Sequence, residues 1–110
     1  MSREQIANIL EVARSATVVE GLKPPDVVVI LVDKLAPKEN VLSEGLSVDE
    51  TRNIIFVEKS TIDNLVYRIL AGVFYLALWE TFMIRSPQRA CELARKYFFK
   101  ALIRVAGGSR

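Results

Sequence analysis

Residues 60–85, STIDNLVYRILAGVFYLALWETFMIR, decide the fold. Between Arg68 and Glu80 lie eleven residues without a charge, and their apolar side chains point in every direction a helix can turn. A helix that is apolar on all sides is one surrounded by protein. Eleven residues fall short of the roughly 20 that cross a bilayer, and charges close both ends. The stretch therefore reads as the buried central helix of a soluble domain, with no membrane span.

Working outward, Ser60 with Asp63 supplies a capping signal that opens this helix. Beyond its far end, Ser86 and Pro87 form an N-cap and an N1 proline, starting a last helix that runs to about Ala106 and stops at Gly107 and Gly108. Upstream, Asn53–Glu58 (NIIFVE) reads as a strand. It returns antiparallel, across the turn DETRN, to a weaker strand over 41–48 that Gly45 interrupts with a bulge or a close backbone approach. The segment LAPKEN is a loop. Before it, Asp26–Asp33 (DVVVILVD) is a continuous β-branched run, the pattern of a central strand buried on both faces. Lys23, Pro24 and Pro25 separate that strand from an N-terminal helix. Ser2 and Gln5 have capping-box spacing there, and Ile6, Ile9, Leu10, Ala13 and Thr17 form a single stripe, so this helix is a one-sided lid ending near Gly21.

The order predicts an α+β fold: an N-terminal helix, a small mixed sheet of about three strands with an antiparallel hairpin, a buried central helix and a C-terminal helix. Residues 1–110 form one domain, without repeats or linkers. Hydrophobic residues make up 51% of the chain and the mean hydropathy is +0.25, high for a small monomer, which favours a homo-oligomer or a protein partner. A net charge of +2 announces no global field for nucleic acid. One cysteine, Cys91, excludes an internal disulfide framework, and the N-terminus is polar and amphipathic rather than a signal peptide. A cytoplasmic location is expected.

The element order carries a resemblance. A hairpin at a sheet edge ending in IIFV, followed by a capped, buried helix, resembles the minimal core of zincin-type metallopeptidases over about Val41 to Tyr97. What the resemblance implies is a His-Glu-x-x-His zinc motif on the central helix and a further ligand on the next. Laid on that frame, ILAGVFYLALW puts Ala71 and Gly72 where the first His and the catalytic Glu stand, and Tyr75 at the second His. RACELA resembles the Glu-Ala-Asn-x-x-Ala pattern of short zinc peptidases that cleave phage-type repressors, with Arg89 at the liganding Glu. Zinc needs deprotonated N, S or O donors in a tetrahedral array, and this chain contains no His, so a zincin-like fold here would be a pseudoenzyme.

Other chemistries find as little. Without His, Ser and Cys nucleophiles lack their usual base, and Cys91 falls beside an apolar stripe, where inert buried cysteine is the common case. Asp33, Glu58, Asp63 and Glu80 have no spacing that sets two on one face, and the five glycines make no phosphate loop. No metal, cofactor or enzymatic activity is expected.

Three surfaces remain as candidates. On the central helix, Asn64, Arg68, Tyr75 and Trp79 share a face. It reads either as a degenerate cleft holding an anionic or peptide group, or as Arg68 and Tyr75 satisfying partners at a seam with the first helix while Gly72 permits close packing. On the last helix, Phe99 points away from the core stripe, and with Arg95 and Leu102 it forms a candidate interface anchor. Lys96, Lys100 and Arg104 recur at four-residue steps on another flank. They read either as phosphate contacts of a small nucleic-acid-binding protein or as a solvated flank favoured by the helix dipole. The expected function is a non-catalytic protein-interaction or self-association module, with nucleic-acid binding as the alternative.

Overall fold

A computed structural model describes residues 1–35 and 41–107. The class is α+β, in the order α1 (Arg3–Val19), β1 (Val28–Val32), β2 (Val41–Ser43), β3 (Leu46–Asp49), β4 (Ile54–Glu58), α2 (Ile62–Phe82) and α3 (Pro87–Ala106). Most of the LAPKEN segment, residues 36–40, lies outside the described residues.

Helix α1 starts at a reciprocal cap: the Gln5 amide donates to Ser2 Oγ at 3.1 Å and the Ser2 amide to Gln5 Oε1 at 2.9 Å. Gly21, at φ 75°, follows its end in the left-handed region that a side chain would strain. Its buried residues are Asn8, Ile9, Val12, Ala13, Ala16 and Thr17, whereas Ile6 and Leu10 are only half-buried. The buried stripe is therefore wider than Ile9, Ala13 and Thr17 alone indicate, because α1 touches both α2 and α3.

The sheet has strand order β1-β4-β3-β2, with β1 parallel to β4 and the other pairs antiparallel. Two expectations change here. The DVVVILVD run is an edge strand and not a central one, with Val28 57% and Ile30 38% exposed. Among the described residues helices cover one face of the sheet, so the unbroken apolar run does not mark a strand enclosed on both sides. The stretch 41–48 is two strands, not one, because Gly45 sits at φ 72° and turns the chain back on itself. A fourth strand results, and the IIFV strand β4 lies between β1 and β3 and not at an edge.

Helix α2 opens one residue later than Ser60 implies. Thr61 is its N-cap and accepts from the Asn64 amide, while Ser60 Oγ accepts from Asn64 Nδ2. The helix packs on β3 and β4 and on α1 and α3, so every side of its middle turns meets protein. Twelve residues from Leu65 to Leu78 are buried, which accounts for the uncharged run. Gly72 fits where a Cβ would stand 2.8 Å from Ile55 Cγ2, so α2 approaches β4 more closely than alanine permits. Helix α3 begins as expected at Ser86 and Pro87 and buries Ala90, Leu93, Ala94, Ala101 and Val105.

Candidate functional site

The face of α2 read as a cleft is divided between two anchoring roles. Arg68 lies across Gly45 and donates from Nη1 to the Glu58 carbonyl at 3.0 Å. Two turns on, the Tyr75 hydroxyl donates to Glu50 Oε1 at 2.7 Å, and burial together with that carboxylate pushes it up to about 12. Arg85 Nε also donates to Glu50, at 2.9 Å to Oε2, and its guanidinium sits 4.0 Å from the Trp79 ring centroid. Asn64 is exposed in the first turn. The partners of Arg68 and Tyr75 at this seam come from the sheet side and not from α1, since Glu58 is the last residue of β4 and Glu50 lies in the turn between β3 and β4. Glu50 and Arg85, absent from the sequence reading, complete it. A loop glutamate gives no periodic signal by which to find it.

The positions that the zincin-like resemblance matches to a metal site have ordinary packing roles here. Ala71 is fully buried, Gly72 backs Ile55, and Tyr75 binds Glu50. Arg89 is on the surface of α3, 4.0 Å from Glu20 and 3.5 Å from Glu92. Among the described residues no three His, Cys, Asp or Glu side chains group as metal ligands would. Of the acids considered, Asp33 pairs with Lys59 at 3.1 Å and Glu58 accepts from the Leu35 amide at 2.9 Å, while Asp63 and Glu80 are exposed.

The basic flank of α3 faces acids of α1 and its C-cap. Lys96 Nζ and the Tyr97 hydroxyl both donate to Glu20 Oε2, each at 2.6 Å, and Arg104 Nη2 donates to Glu11 Oε1 at 2.7 Å. The bonds from Lys96 and Tyr97 hold the Glu20 carboxyl below its usual range. In return, the Glu20 bond, with burial, pushes the Tyr97 hydroxyl up to about 12. Of the three cations, only Lys100 has no acidic partner among the described residues.

The outward face of α3 is different. Phe99 is 71% and Ile103 68% exposed, one turn apart, with Arg95 one turn before them. Leu102 belongs elsewhere, since it packs against the core, and Ile103 takes the place proposed for it. The four-residue step from Phe99 to Ile103 was available in the sequence as the signal for this pairing. Beside them is an open notch of ≈ 340 Å³ lined by Asp63, Asn64, Tyr67, Arg95, Phe98 and Phe99. Phe98 and Phe99 meet edge to face at 5.6 Å, and Arg95 Nη1 is 3.5 Å from the Tyr67 hydroxyl. Burial and the neighbouring Cys91 push that hydroxyl up to about 12. Compared with known proteins, the chain matches no family model, no curated protein and no solved structure.

Proposed function

We propose that this protein is a non-catalytic interaction module that docks an amphipathic helix of another protein on the outward face of α3. The observation that carries the reading is the exposed pair Phe99 and Ile103 beside a notch with aromatic walls. Large apolar anchors entering such concavities dominate binding energy at protein interfaces. Asp63 and Arg95 at the rim offer one charge of each sign to fix orientation. The α2 face supports the same reading from the other side, because Arg68, Tyr75 and Gly72 are occupied with packing and anchoring. Nucleic-acid binding through Lys96, Lys100 and Arg104 is the weaker alternative, since two of those cations are already committed to acids of this chain.

The test is capture of partners from native lysate with and without nuclease, followed by affinity measurement on the purified partner. Phe99→Glu is expected to weaken binding at least tenfold, the scale of an interface hot spot, with an unchanged melting temperature because the ring is outside the core. Unchanged affinity in that variant refutes the α3 surface. Loss of every captured component on nuclease treatment favours the basic flank instead.

A further inference from the structure

We infer that β1 is a self-pairing edge: two copies of the chain join antiparallel through their β1 strands, centred on Ile30, to form one continuous eight-stranded sheet. The argument starts from the hydrogen bonds. The Val28 amide donates to the Asn53 carbonyl at 3.0 Å, and the Lys59 amide donates to the Val32 carbonyl at 2.9 Å. In a parallel ladder alternate residues turn both backbone groups to the same neighbour, so Val28, Ile30 and Val32 face β4. Val29 and Leu31 then turn theirs to the open side, where no strand lies among the described residues.

Natural edge strands are blunted by proline, inward charges, bulges or a covering element. Residues 27–32, VVVILV, contain no charge, glycine or proline, and β1 keeps an unbroken register with β4. The core face is also unfinished at this edge. Val29 and Leu31 point inward opposite Ile55 and Val57, which are fully buried, yet both remain half-exposed. Outside, Val28 and Ile30 are exposed beside the half-buried Ile54 and Phe56.

The register follows from the same alternation. An antiparallel partner must place outward-facing amides opposite each other, so odd residues oppose odd residues. Centring on Ile30 sets Val29 against Leu31 and Val28 against Val32 of the second copy. It pairs all five residues of β1, Val28–Val32, with the same five of the second copy and leaves Asp26 and Asp33 outside the strand, where each already has a basic partner in its own chain, Arg14 at 3.7 Å and Lys59 at 3.1 Å. Moving the centre to Val29 brings Pro25, which has no amide proton, into the ladder. Moving it to Leu31 sets Val29 against Asp33 and Val28 against Lys34, so only three residues of each strand pair. Backbone alternation and strand length thus agree on one arrangement, and the occupant they specify is this same strand reversed. This deepens the interaction reading but stands on a different surface from Phe99, so the two fail independently.

A five-residue ladder buries less than a standard interface, so the dimer is expected to be concentration-dependent. Sedimentation equilibrium of the full chain up to about 1 mM, the weak end of specific association, should show mass rising toward two copies. Ile30→Glu, which sets two carboxylates face to face, should stay monomeric with an unchanged circular dichroism spectrum. Mixing it with Ile30→Lys should restore a dimer with one copy of each. In a Cys91→Ala background, Ile30→Cys should form an intermolecular disulfide under mild oxidation and Val28→Cys should not, because Val28 faces Val32 rather than itself. A wild-type chain that stays monomeric throughout, a dimer indifferent to Ile30→Glu, or equal cross-linking through Val28→Cys overturns the proposal.

Discussion

Ile30 and Ile55 stand on neighbouring strands of one sheet, yet Ile30 is 38% exposed and Ile55 not at all. The difference is which face each points from. Ile55 looks toward α2, pressed against Gly72, whereas Ile30 looks outward, where no helix packs among the described residues. An apolar residue in a strand therefore reports a face to be covered without saying what covers it. On the inner face the cover is built into the chain. On the outer face and the open edge, we have proposed that another copy supplies part of it.

The largest expected effect sharpens that contrast directly. Ile55→Ala should destabilise the fold by about 2–5 kcal/mol, since it empties volume in a closed core. Ile30→Ala should cost less, about 1 kcal/mol in dilute protein, because more than a third of the residue is already in solvent and its loss opens no closed cavity. Denaturant melts of the two variants check the ordering, and equal losses would break the comparison. Next comes Gly72→Ala, expected to cost about 1–3 kcal/mol through overpacking even though alanine favours a helix by about 1 kcal/mol. Because the new methyl meets Ile55, the cost should shrink in an Ile55→Ala background, and a double-mutant cycle measures that coupling. Strict additivity would mean that α2 and β4 are not in close contact at this point.

The smallest effects are those of pH, and they concern ties on the helical side of the sheet. All three tyrosines, Tyr67, Tyr75 and Tyr97, have hydroxyls pushed up to about 12. An unfolded tyrosine ionises near 10, so their contribution is complete below about 10 and is lost as pH climbs through about 12. Glu20 has the opposite sign. Its carboxyl is held low, so its contribution is present above the ordinary carboxylate range and is lost as pH falls through the lowered value. Stability should form a plateau between these limits. Ultraviolet titration should place the tyrosinate step of the folded protein near 12, and a step near 10 would contradict the bonds to Glu50 and Glu20.

Much of the fold was legible because local chemistry announced it. Ser2 with Gln5 and Ser86 with Pro87 cap helices as their spacing indicates, and the uncharged run 69–79 marks the one element with protein on all sides. What was not legible depends on long-range neighbours. Whether 28–32 is an edge or a centre is decided by where β4 pairs, and the close approach expected at Gly45 is there, made by the Arg68 side chain across a turn between two strands. The candidate surface was half legible. Phe99 was readable from helical phase, and Ile103 was within reach of the same logic. By contrast, the notch needs Tyr67 and Asp63 from α2, and no spacing within α3 reveals them. The engagement of Lys96 and Arg104 likewise depends on Glu20 and Glu11, which are more than seventy residues away in the chain.

The pairing of β1 with β4 has a consequence for how the chain is made. The whole β2–β3 hairpin separates the two strands, and α2, which fills the inner face, is synthesised after both. A ribosome adding roughly 5–20 residues per second releases β1 several seconds before its shelter exists. During that interval VVILV is a naked apolar segment on a nascent chain, and neighbouring chains on one polysome carry the same segment. Translation speed and the supply of holdase chaperones should therefore govern how much of this protein reaches its fold and how much is lost to aggregates.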